Sequence, residues 1–64
     1  MNIKKLRLAA GLTQEQLAKK MGLDQGAISH WERGKNNPLR KYHKKLAKVL
    51  GCTVDDLLKE ENDG

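Results

Sequence analysis

Apolar residues recur along the chain at helical spacing, and glycines interrupt the pattern at intervals. A first segment runs from about Asn2 to Ala10. Asn2 is placed to cap it, Ile3, Leu6 and Ala10 share one face, and Arg7 lies beside them. A second starts at Thr13, where Thr13-Gln14-Glu15-Gln16 fits a capping box; Leu17, Ala18 and Met21 then line one face. A third follows Asp24 as N-cap and ends near Arg33. Its apolar arc holds Ala27, Ile28 and Trp31, and its opposite arc holds Gln25, Gly26, Ser29, His30 and Arg33, with Glu32 at the border. A fourth follows Asn37-Pro38, read as N-cap and first-turn proline, with Leu39, Tyr42, Leu46, Val49 and Leu50 inward. A fifth is capped by Thr53 with Asp56 at the capping-box position, and Val54, Leu57 and Leu58 face inward. Gly11, Gly22, Gly34 and Gly51 each follow a helical segment, where a left-handed residue ends a helix. No strand pattern or internal repeat is visible. The expected fold is all-α, a compact five-helix bundle.

Length and charge narrow the function. Sixty-four residues make one small domain, whose core does not readily enclose a substrate pocket. A binding module is expected rather than an enzyme. Residues 1–50 hold 12 Lys/Arg against three acids, a net +9, which favours a polyanionic partner. Residues 51–64 hold Lys59 and five acids, a net −4, and 61–64 read as a short acidic tail after a domain spanning 1–60. The single Cys52 forms no internal disulfide and is expected to be a small buried apolar residue. The sequence shows no leader and no long apolar run, so the cytoplasm is the expected compartment and no membrane is expected as a partner. No metal-ligand spacing, phosphate-cradling glycine loop or nucleophile–base pair occurs, so neither a cofactor nor a catalytic residue is expected.

Segments two and three, joined by the tight turn Met21-Gly22-Leu23-Asp24, have the arrangement of a helix-turn-helix. The second of the pair has the polar outer arc that a major-groove reader needs.

Those residues, with Ile3-Lys4-Lys5-Leu6-Arg7, Gly11-Leu12-Thr13-Gln14-Glu15-Gln16-Leu17-Ala18, Ile28-Ser29-His30-Trp31-Glu32-Arg33-Gly34, Leu46-Ala47-Lys48-Val49-Leu50-Gly51 and Thr53-Val54-Asp55-Asp56-Leu57-Leu58, make the chain resemble the phage-repressor-like (Cro/Xre) helix-turn-helix family of bacterial and phage regulators. The resemblance covers essentially the whole chain. It implies a lambda-repressor-like domain that binds double-stranded DNA, most often as a homodimer on a palindromic operator, and here a repressor. It implies base reading by Gln25, Gly26, Ser29 and His30; Gly26 departs from the family's usual polar residue and offers no side chain. It implies phosphate binding by Thr13, Gln14, Arg33, Lys35, Asn36, Asn37 and Arg40, with Lys41, Lys44 and Lys45 continuing the basic surface. Gln14 at a helix N-terminus is also suited to anions on physical grounds, and the resemblance implies that it can brace the first side chain of the reading helix as well. A partly buried ion pair between Arg7 and Glu32 is implied as well. Val49 to Leu58 is the expected dimer surface. The main alternative is an antitoxin-like module whose partner is another protein, docked through the acidic end. An RNA- or membrane-surface binder fits less well, because Trp31 and Tyr42 are the only large aromatics.

Overall fold

The computed structural model describes residues 1–59. The expected domain boundary and the acidic residues 61–64 lie outside the described residues. Five helices follow in order: α1 (Ile3–Ala9), α2 (Gln14–Met21), α3 (Gln25–Arg33), α4 (Arg40–Leu50) and α5 (Val54–Leu58). They enclose one core of Ile3, Leu17, Ala18, Met21, Ile28, Leu46, Leu50 and Leu57, with Leu6, Leu12, Trp31 and Tyr42 packed against it. Every helix contributes at least one of these side chains, so no helix buries its apolar stripe alone.

Local chemistry sets the boundaries of α2 and α5. Thr13 Oγ1 accepts from Gln16 N at 3.0 Å while Gln16 Oε1 accepts from Thr13 N at 2.9 Å. Thr53 and Asp56 repeat this box at the start of α5. Accepting the Thr53 N–H holds the Asp56 carboxyl below its ordinary value. A Thr13→Ala variant is expected to lose about 1 kcal/mol of stability, measured by urea unfolding.

The four chain reversals share one geometry. Gly11, Gly22, Gly34 and Gly51 all have φ between 71° and 76°. After Gly34, Lys35 N donates to His30 O at 3.0 Å; after Gly22, Leu23 N donates to Ala18 O at 2.9 Å. A Cβ at Gly34 would meet nothing within 4 Å. The cost of Gly34→Ala is therefore one of backbone conformation alone, about 1–2 kcal/mol, read as a shift in the denaturation midpoint with an unchanged m-value.

Several expected positions differ. α4 starts at Arg40, not at Pro38, and its N-cap is Leu39, in extended conformation. Leu39 is 62% exposed rather than inward; Pro38 is buried in this stretch instead. Leu58 is 46% exposed: at 3.6 residues per turn it points about 100° away from Leu57, which takes the core place at 0%. Ala10 lies past the end of α1 and is exposed. Asn2 stands at the N-cap of α1, but its side chain makes no capping bond; its backbone N–H instead donates to Leu57 O at 3.0 Å, joining the two ends of the bundle. Cys52 is half-buried rather than buried, and its thiol is pushed up first by burial and then by Asp56.

Candidate nucleic-acid interface

α2 and α3 pack directly on each other through the Gly22 turn, so the helix-turn-helix read from the sequence is present as a rigid pair. α3 is defined at both ends. Asp24 caps it, its Oδ2 accepting from Gly26 N at 3.1 Å, and Gly34 closes it. One face anchors it: Ile28 is fully buried, and the Trp31 ring lies 6.1 Å from the Tyr42 ring of α4. The other face is left to solvent. Gln25, His30 and Arg33 are exposed, and Ser29 and Gly26 are half-buried. Gln25, Ser29 and Arg33 follow each other at four-residue spacing and form one stripe.

Gly26 has a local explanation. A Cβ at this position would lie 2.9 Å from Asp24 Oδ2. The missing side chain leaves the capping carboxylate its place beside the Gly26 amide, and keeps the backbone of the first turn open on that side.

A polar network fixes α3 against α1 and α2. Arg7 Nε donates to Glu32 Oε2 at 2.6 Å, and Arg7 Nη2 to Glu32 Oε1 at 3.2 Å. Arg7 Nη1 donates to the carbonyl of Leu12 at 2.7 Å. Gln14 Nε2 donates to Glu32 Oε1 at 3.0 Å. The Arg7 and Glu32 side chains are only 9% and 4% exposed. A bidentate guanidinium–carboxylate pair whose third nitrogen also has an acceptor is the geometry in which a buried pair is tolerated. Gln14 therefore braces Glu32 at the far end of α3, not Gln25 at its start. The structure brings Arg7, Gln14 and Glu32 together across three helices. The Leu12 carbonyl, the fourth member, has no signature in the sequence beyond its place after the Gly11 turn.

Thr13 and Gln14 sit at the N-terminus of α2, Thr13 exposed and Gln14 half-buried. Its first-turn N–H groups give that end a positive dipole. Lys35, Asn36 and Asn37 are exposed in the loop after α3, and Arg40 is exposed at the start of α4. The Lys35 amide is committed to His30 O, so its side chain, not its N–H, is what it offers to a ligand. His43 is half-buried, its Nε2 donating to Pro38 O at 3.2 Å, which ties the loop to α4.

The class this arrangement defines is a helix-turn-helix whose second helix presents a polar face from a rigid frame. A family model described as Helix-turn-helix matches residues 3–57. The chain is 41% identical over 59 residues to the HTH-type transcriptional activator BcrR of Enterococcus faecalis, covering 92% of this chain and 29% of the activator. It is 40% identical over 55 residues to an HTH-type transcriptional regulator of Archaeoglobus fulgidus, covering 86% of this chain and 79% of the relative. It is 39% identical over 61 residues to one of Methanocaldococcus jannaschii, covering 95% and 92%. No solved structure gives a significant match. The chain belongs to the Cro/Xre-type helix-turn-helix family, a family of DNA-binding transcriptional regulators rather than enzymes. No described helix is long and apolar enough to cross a membrane.

Proposed function

We infer that the protein is a sequence-specific repressor that reads a palindromic operator in duplex DNA as a two-fold dimer, acting in the cytoplasm. The observation that supports this best is α3 itself: a helix capped at both ends and held by Ile28 and the Arg7–Glu32 pair, with Gln25, Ser29 and Arg33 in one outward stripe. A B-DNA major groove about 12 Å wide admits one such helix. In this reading Gln25 pairs with adenine, Ser29 and His30 contact neighbouring bases, and Gly26 allows close backbone approach. Thr13, Gln14, Arg33, Lys35, Asn36, Asn37 and Arg40 hold the flanking phosphates and so set register rather than sequence. The exposed Leu58 on α5 belongs to the dimer contact. A bound dimer represses by occluding polymerase.

Selection of binders from a randomised duplex pool at near-physiological salt tests this reading. The expected result is a palindrome with half-site centres about one helical turn apart. An unenriched pool contradicts it. A single non-repeated site contradicts the dimer. A reporter placed behind the selected site is expected to fall in output when the protein is expressed; a rise would assign activation, the role named for the enterococcal relative.

A further inference from the structure

An open groove of about 970 Å³ runs between α2 and α4, lined by Lys20, Lys41, Lys44, Lys45, Lys48 and Val49. All five lysines are exposed, and none of the lining residues belongs to α3 or to the loop that follows it. Lys41, Lys44, Lys45 and Lys48 stand at i, i+3, i+4 and i+7 of α4. They form one stripe opposite the buried Leu46 and Leu50, and Lys20 joins them from the last turn of α2. Like charges at i, i+4 weaken a helix, and α4 carries two such pairs, Lys41–Lys45 and Lys44–Lys48. Among the described residues, no carboxylate lies within ion-pair distance of any of the five. The groove is a cationic surface whose counter-charge the described fold does not supply.

The lining also selects the chemistry of an occupant. Most of its surface is carbon, from Val49 and the lysine stems, which cover apolar surface while their charges stay in water. A chain of phosphates uses the charges and leaves that carbon uncovered. A nucleotide favours a ring to stack on or an arginine fork, and the lining has neither. A peptide helix with an apolar edge and flanking carboxylates uses both parts. The groove between two packed helices is where a third helix seats its side chains. Four lysines at helical spacing meet carboxylates at the same spacing along about 10 Å of axis. No described helix of a second copy carries such a row. α2 has Glu15 alone, α3 has Glu32 committed to Arg7, and α5 has Asp55 and Asp56 side by side, with Asp56 committed to Thr53.

We propose that the groove between α2 and α4 docks an acidic amphipathic helix of another protein, with carboxylates at i, i+3, i+4 and i+7 facing the α4 lysines and an apolar residue over Val49. The spacing sets register and the carbon floor gives contact area, while the charges speed encounter and exclude basic partners. Because the lining leaves out α3, the docked helix and the outward stripe of Gln25, Ser29 and Arg33 use different residues. Docking at this groove goes beyond the DNA-binding reading and stands without it.

Titration of the full chain into labelled peptides at about 150 mM salt, followed by fluorescence anisotropy, tests this. The probe is an end-blocked, alanine-rich peptide of about 16 residues, long enough to be partly helical, with four glutamates at the stated spacing and leucines beside them. One control has the same composition with its glutamates distributed around the helix; the other has glutamine for glutamate. The patterned peptide is expected to bind about tenfold more tightly than either control. Lys44→Gln/Lys48→Gln removes two exposed ion pairs and is expected to weaken its binding about three- to tenfold. The variant's Tm is expected to be unchanged or slightly raised, because a like-charge pair is lost. A random duplex at the peptide's concentration is expected to leave the peptide bound. Absence of saturable binding, or equal binding of the patterned and distributed peptides, overturns the proposal. Binding that the lysine variant does not weaken overturns it too, because the peptide then sits elsewhere. Displacement by the duplex also overturns it and assigns the groove to nucleic acid.

Discussion

Arg7→Ala is expected to remove most of the protein's stability. The substitution strips Glu32 of two hydrogen bonds and leaves a carboxylate that is 4% exposed facing an apolar gap, with the Leu12 carbonyl also unpaired. Breaking a buried pair from one side costs about 3–5 kcal/mol. A domain of this size has roughly 3–10 kcal/mol in total. Thermal unfolding should therefore show Tm lowered by about 15 °C or more. Arg7→Met/Glu32→Leu is expected to recover most of the loss, because it removes both charges and fills the space with apolar atoms. A wild-type Tm for Arg7→Ala would mean that the pair is solvated and does not hold α3. Failure of the double variant to recover would mean that the pair itself, and not the stranded charge, is the source of stability.

Gln25→Ala/Ser29→Ala is expected to weaken sequence preference strongly while leaving the fold intact. Gln25 is exposed, Ser29 is half-buried, and among the described residues no hydrogen bond holds either side chain, so Tm should move little. A good bidentate base contact discriminates by about 1–3 kcal/mol. Losing Gln25 and Ser29 together should weaken operator binding by roughly 30- to 700-fold, about 2–4 kcal/mol. Binding to random duplex should stay within about twofold of wild type, because phosphate contacts supply that affinity. Titration of labelled operator and random duplex in parallel reads both quantities. Equal weakening on both would place Gln25 and Ser29 at the backbone rather than at base edges.

Much of this was legible in the residues, for reasons that differ by position. The four glycine stops, the Thr13 and Thr53 boxes and the polar arc of α3 are local, written within a few residues of chain. The Arg7–Glu32 pairing spans 25 positions and rested on family resemblance; no spacing rule reaches that far. Asn37-Pro38 is a sound first-turn signal by itself, yet α4 starts two residues later, because tertiary packing buries Pro38 and keeps Leu39 extended. Gln14 was legible as a helix N-terminal residue, but its partner is decided by how α2 crosses α3.

The most direct test of the central claim is amide shift mapping of the labelled protein against the selected duplex. The largest perturbations are expected at Gln25, Gly26, Ser29 and His30, with a second set at Thr13, Gln14 and Lys35 to Asn37. Perturbations confined to α1 and α5, with α3 unchanged, would contradict the assignment of α3 as the reading helix.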